Sequence, residues 1–312
     1  MKENLAETRH LDKPRLHAVS RTAVKPAARP ITAVRRKRYG LEIGRLMITV
    51  LLLGFSVLMI VPFLWMVSTS FKVNADVFRY PIDWIPDTWH LENYRQVWTG
   101  ANPFYVYYWN SLKITGLTVA GNLLTSAMAG FAFAKLNFKG RSFLFLLYLS
   151  TLMIPGQVLL VPRFILFDWL HLLNTHYALI LPGLFTVLGT FMMRQFFTSL
   201  PGELLEAARV DGAGYWRMFW QIGLPLTKPA LVTLMILTFT WHWNDYESPL
   251  IFLRDKALYT IPLGLTNFVE EYGTNYVLLL AASVSALVPV LLVVLAGQKW
   301  IVEGIANTGL KG

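Results

Sequence analysis

Charged residues in this chain are separated by long gaps, and those gaps limit what it can fold into more than any other feature. Asp, Glu, Lys and Arg are absent from 46–71, 114–134, 142–162, 169–193, 229–244 and 272–298. A bilayer core of about 30 Å is crossed by about 20 apolar residues in a helix, because lipid offers the backbone no hydrogen-bond partners. Five gaps reach that length, and the sixth extends through Ser248–Leu253 beyond a polar knot to give a span at 230–252. The sequence therefore predicts an all-α membrane protein with six transmembrane helices. Only 15% of its residues are charged, against about 25% in a soluble domain.

The formal charge of +10 raises the question of nucleic acid, and its distribution answers it. Residues 1–45 hold twelve Lys/Arg against four acids, so the other 267 residues sum to only +2. The excess is a basic tail ahead of a hydrophobic span, which excludes a basic nucleic-acid face. With Pro14, Pro26 and Pro30 among scattered charges, 1–45 reads as a disordered tail, and 46–312 as the membrane domain. The first span is expected to be a retained helix rather than a cleaved signal peptide: the basic region and apolar core are too long, and the exit Val67-Ser68-Thr69-Ser70-Phe71-Lys72 offers no small-x-small site. With the N-terminus placed inside, 21 Lys/Arg fall on inside segments and 7 on outside ones. The positive-inside rule then puts both termini in the cytoplasm.

One inside loop, 198–229, departs from the rest. Ser199 is read as a helix N-cap with Pro201 in the first turn. Glu203 and Glu206 then sit near the positive end of the helix dipole, while Leu204, Leu205, Ala207 and Ala208 make an apolar side. Asp211-Gly212 stops the helix, glycine accepting the left-handed backbone of a reversal. A second short helix over 213–222 follows, ended by Leu224-Pro225. This helix–turn–helix is too polar to span, and its small residues let it seat in another protein's groove or rest on the bilayer.

The spacing Glu206-Ala207-Ala208, three residues, Gly212, nine residues, Ile222, one residue, Leu224-Pro225 resembles the "EAA" signature of permease subunits in binding-protein-dependent ABC importers. Further stretches resemble the carbohydrate-uptake branch and its maltose-permease G-type subunit. They include Asn110-Ser111-Leu112, 131–141, Met153-Ile154-Pro155, Asn174-Thr175, 191–197, Trp243-Asn244-Asp245 and the terminal 309–312. Tyr246-Glu247-Ser248 departs from the pair usual after that motif. The resemblance implies a type I importer permease fold and a transport subunit with no ATPase site. Two separate ATP-binding subunits would bind ATP and Mg, so no cofactor is expected on this chain. A second, homologous permease would complete a heterodimer, and an external solute-binding protein would deliver a sugar or oligosaccharide. The setting implied is the cytoplasmic membrane of a prokaryote. In this resemblance Glu206 makes the polar contact to the ATPase and Gly212 the turn, with Ala207, Ala208, Asp211 and Pro225 in support. The tail 298–312 is a second candidate for that contact.

The residues agree with these implications. No Gly-Lys dipeptide occurs, so a Walker A loop is excluded. Zero cysteines exclude thiolate metal sites and cysteine nucleophiles, and the six histidines show no ligand-spaced pair. Trp243, Asn244 and Asp245, in the knot 241–247, read either as an interfacial anchor or as sugar-facing groups of the substrate pathway. The aromatic-rich segment 72–110 reads as an interfacial belt or a docking surface for an external partner. Gly116 with Ala120, and Gly121 with Thr125 and Ala129, predict a closely packed second span. A same-fold permease for another solute (an amino acid, a peptide or a polyol derivative) is the alternative. A secondary transporter would show inverted repeats, and none is seen.

Overall fold

The computed structural model describes residues 31–100, 103–270 and 275–309. Every regular element among them is helical: α1 (Ile31–Thr69), α2 (Glu92–Thr99), α3 (Phe104–Lys135), α4 (Arg141–Ser150), α5 (Leu160–Trp169), α6 (Tyr177–Gly183) and α7 (Val187–Ser199). There follow α8 (Gly202–Val210), α9 (Tyr215–Met218), α10 (Leu224–Leu226), α11 (Lys228–Trp243), α12 (Glu247–Phe252), α13 (Ile261–Glu270) and α14 (Tyr276–Gly309). Of the segment read as a disordered tail, 1–30 lies outside the described residues. From Ile31 onward the backbone is helical, starting directly after Pro30, whose fixed φ suits a helix start. The last residues, 310–312, also lie outside the description.

The chain divides into two units, 1–59 and 60–312, with the boundary inside α1. In the first, the described side chains from Leu46 to Met59 are exposed and almost all apolar. Such a surface is stable only in lipid or against another protein.

In the second unit α3 is the central helix, packing along α7, α11, α6 and α13. Its buried side chains recur every three to four residues from Phe104 to Phe131. The close packing expected of it is present, but on one of the two predicted rows. Gly116 and Ala120 are exposed, and a Cβ on Gly116 would meet nothing. A Cβ on Gly121 would lie 2.3 Å from Leu184 Cδ2, and one on Gly130 2.8 Å from the Arg194 amide nitrogen. Gly130 was not singled out, because one glycine in an apolar run gives no local sign of what faces it.

Among the described residues, four helical stretches are long and apolar enough to cross a membrane: Gly44–Thr69, Phe104–Lys135, Tyr177–Ser199 and Tyr276–Trp300. Two bent pairs qualify when each is taken as one span, Arg141–Met153 with Gly156–Trp169 at 91° and Tyr215–Leu226 with Lys228–Trp243 at 76°. The first bends at Pro155, which has no amide to donate and pushes the preceding residue out of helical geometry. The second bends at Thr227.

Candidate functional site

The signature segment begins differently from its expectation. Ser199 Oγ donates to the Phe196 carbonyl at 2.8 Å within the last turn of α7, so it does not cap α8. The position before α8 is taken by Pro201, in extended geometry and without a side-chain cap. A β-hydroxyl within a helix readily turns back onto the preceding turn's carbonyl, and here that local bond wins.

The stop after Val210 follows the residues closely. Asp211 closes the last turn, and Gly212 adopts φ +78°. The Gly212 amide donates to the Arg209 carbonyl at 3.0 Å, and the Ala213 amide to the Ala208 carbonyl at 2.9 Å. This pair of reversed bonds is a Schellman motif, and its usual apolar contact is supplied by Ala208 and Ala213, which pack in one core cluster. Across the turn, the Arg209 guanidinium stacks 5.5 Å from the Tyr215 ring and Nη2 donates to its hydroxyl at 3.4 Å.

The second helix does not end at Leu224-Pro225. After α9 the chain makes a π-helical turn over Phe219–Gly223 and passes through Pro225 to Leu226 before bending at Thr227. A widened turn absorbs the amide that Pro225 lacks. Thr227 is buried, and its hydroxyl donates to the Gly223 and Leu224 carbonyls at 3.2 and 3.1 Å, so the bend leaves no frayed backbone.

Burial splits the signature residues into two sets. Glu206, Ala207, Asp211, Gly212 and Pro225 are exposed, beside Val210 at 87% exposure. Ala208 is buried, and Ile222 and Leu224 are partly buried, against Phe131, Met193, Phe197, Met218 and Phe219. Among the described residues the only ion pairs are Arg79–Asp76 at 4.0 Å and Arg95–Glu92 at 3.6 Å. Glu206, Asp211, Arg209 and Arg217 therefore enter none, and their charges stand on an open face. Gly223 was missed by the sequence reading. A Cβ there would lie 3.1 Å from the Phe197 ring and 3.3 Å from Phe131, contacts from elements that its neighbours in sequence do not reveal.

Residues 121–307 match the family described as "Binding-protein-dependent transport system inner membrane component". The chain belongs to this family. Similar proteins include the arabinooligosaccharides transport system permease protein AraQ of Halalkalibacterium halodurans, 38% identical over 80% of this chain and 91% of that one. The sn-glycerol-3-phosphate transport system permease protein UgpE of Yersinia pestis is 34% identical over 75% of this chain and 86% of that one. A solved bacterial ABC transporter for import of the acidic polysaccharide alginate shares the fold. It has a TM-score of 0.75 and 24% identity, over 83% of this chain and 96% of that chain.

In this inner membrane component the knot 241–247 breaks up. Trp243 is 2% exposed, stacked on Phe239 at 5.3 Å and edge-on to Tyr108 at 5.6 Å, and its indole N–H donates to the Ala286 carbonyl at 3.0 Å. Its ring is covered and its donor is used, so Trp243 serves packing in this structure. A Trp that can pair its N–H is a good core residue, and this one sits in the cluster with Phe104, Tyr107 and Phe268. Asn244 is exposed and its side-chain amide donates to the Thr240 carbonyl at 2.8 Å. Asp245 is half-buried and accepts the Ser248 amide at 3.1 Å, helping to start α12.

Two motifs quoted for the resemblance meet in space. Asn110 donates to the Ala257 and Tyr259 carbonyls at 2.8 and 3.0 Å, and Ser111 accepts the Ile261 amide at 2.8 Å. Asn174, at φ +56°, accepts the Arg254 and Asp255 amides at 2.9 and 3.0 Å. Both motifs thus serve to hold the loop between α12 and α13.

Proposed function

We propose that this chain is a permease subunit of an ATP-driven importer that moves a sugar or oligosaccharide delivered by an external binding protein. The observation that carries the reading is the exposed half of the signature segment. A Schellman turn fixes Glu206, Ala207, Asp211 and Gly212 on an open face, while Ala208, Ile222 and Leu224 anchor that face to the helices behind it. Such a face suits the cleft of an ATP-binding subunit. Arabinooligosaccharide and alginate transport in the relatives' names supports a carbohydrate cargo. A polyol derivative is the second reading, favoured by the sn-glycerol-3-phosphate relatives.

In this reading the pair Arg141–Met153 with Gly156–Trp169 crosses the membrane once and 230–252 forms the fifth crossing, giving six spans in the cytoplasmic membrane of a prokaryote. Both termini and the signature segment are cytoplasmic, a placement supported by the excess of inside Lys/Arg. Two partner subunits bind ATP and Mg, and a second, homologous permease completes a heterodimer. Asn244 and Asp245 remain the pathway candidates. Closure of the nucleotide-bound partners pulls on the exposed face, and the contact has to differ between the two states to shift their balance.

The test is Glu206→Lys and Gly212→Pro in the assembled importer. Proline cannot adopt φ +78° and has no amide for the Arg209 carbonyl. Both variants are expected in the membrane at parental level, with import and coupled ATP hydrolysis reduced at least about tenfold. Import at the parental rate by either variant overturns the coupling assignment.

A further inference from the structure

We propose that the arm Tyr215–Leu226 of the signature segment lies on the cytoplasmic leaflet and binds the anionic headgroups of its phospholipids, which leaves α8 to meet the ATP-binding subunit. The inference rests on the reading of the chain as a permease with this segment in the cytoplasm.

The arm meets α11 at 76°, with the corner at Thr227. Along its length α11 packs on α3 and α14, two helices long and apolar enough to cross the membrane, so it runs with them through the bilayer. A helix at 76° to such a crossing lies close to the membrane plane. Tilting the crossing by about 20°, as is usual, does not lift the arm out of that plane. Lys228 opens α11 directly beyond the corner, and the uncharged stretch 229–244 follows it. A long cationic side chain at such a helix end reaches the headgroups, so the corner marks headgroup depth.

Exposure along the arm fits that depth. Met218, Phe219 and Gly223 are buried against the bundle. Trp216 and Trp220, one turn apart, are 64% and 49% exposed, and Tyr215 is exposed beside them. Such rings are favoured at a bilayer interface, where the ring enters the acyl boundary and its polar atom keeps water or headgroup partners. Arg217 is exposed in the same turn, and its Nε donates to Gln221 Oε1 at 2.9 Å.

Charge distinguishes the arm from α8. Residues 213–228 hold Arg217 and Lys228 and no acid, whereas 202–211 hold Glu203, Glu206 and Asp211 against Arg209. An anionic leaflet attracts the first stretch and repels the second. Lipid phosphate supplies the counter-charge that this chain does not place beside Arg217 or Lys228. The Schellman turn joins the two helices, and the stack of Arg209 on Tyr215 spans it. Seated on the leaflet, the arm sets the height at which α8 meets its partner.

The experiment places the photo-crosslinker p-benzoylphenylalanine at Trp220 in the full complex, with its ATPase subunits and external receptor. The vesicles are phosphatidylcholine with about 30% phosphatidylglycerol, and adducts are identified by mass spectrometry. The proposal expects phospholipid adducts, with phosphatidylglycerol enriched at least about threefold over its bulk share. The same probe at Val210, 87% exposed at the end of α8, should give ATPase-subunit adducts. Arg217→Gln with Lys228→Gln should return the lipid ratio to its bulk value in an assembled complex. Adducts from Trp220 to any protein chain overturn the proposal, as do lipid adducts in bulk proportion or no adduct at all. The probe at Trp216 provides the same readout if the Trp220 variant fails to assemble. ATP-driven import is measured in the same vesicles. Its absence in the parental complex sinks the permease reading, whereas intact import with protein adducts sinks the lipid contact alone.

Discussion

The segment from Gly202 to Leu226 and the knot from Trp241 to Glu247 are both dense in polar and aromatic residues, and the fold uses them in opposite ways. In the segment Glu203, Glu206, Ala207, Asp211 and Gly212 face out, and Phe219 with Met218 and Ala208 turns inward as an anchor. In the knot the best candidate for stacking on a ligand, Trp243, is the most buried residue, while Asn244 and Asp245 tidy the ends of two helices. Surface chemistry available to a partner is therefore concentrated in the first region. The second is chiefly architecture, with Trp241 and Tyr246 the aromatics left open.

Three substitutions can break or sharpen this contrast. Trp243→Ala should have the largest effect on stability, about 3–5 kcal/mol, since it opens a cavity in a packed cluster and removes the indole's hydrogen bond to the Ala286 carbonyl. The measurement is the melting temperature of the purified complex, and a shift of a degree or less would return Trp243 to the surface. Gly223→Val comes next, at about 1–3 kcal/mol, because its side chain must displace the Phe131 and Phe197 rings. Phe197→Leu in the same chain should recover part of that loss, and no recovery would mean that the glycine is needed for backbone shape alone. Smallest is Glu206→Ala, within about 0.5 kcal/mol of the parent despite impaired import. A loss comparable to that of Gly223→Val would show Glu206 to be structural.

Much of the fold was legible because lipid imposes length and apolarity on each crossing. The Asp211-Gly212 turn was legible for a different reason: its backbone conformation favours glycine, so the residue type reports the geometry. What escaped was set by distant residues. The break at 184–186 is invisible within the gap 169–193, because its carbonyls are satisfied by Asn122 and Thr125, about sixty positions upstream. Gly130 and Gly223 escaped in the same way, as did the convergence of Asn110 and Asn174 on one loop. Ser199 misled because a serine can bond forward as a cap or backward within its own helix, and both readings fit one sequence. In the knot, the choice between anchor and pathway turned on whether an indole finds a carbonyl, which only tertiary packing decides.

The bend at Thr227 has a mechanical consequence. Its hydrogen bonds bridge the corner without slack, so the two arms of the elbow behave as a crank. The arm α11 contains sixteen residues, which makes it about 24 Å long. A swing of about 10° at the corner therefore sweeps the Trp243 end through about 4 Å. Trp243 is bonded to α14 and stacked in the aromatic cluster there, so the stroke is delivered to a solid load rather than lost in loose chain. A small rotation at the corner is thus enlarged along α11 into a displacement of several ångströms at its Trp243 end.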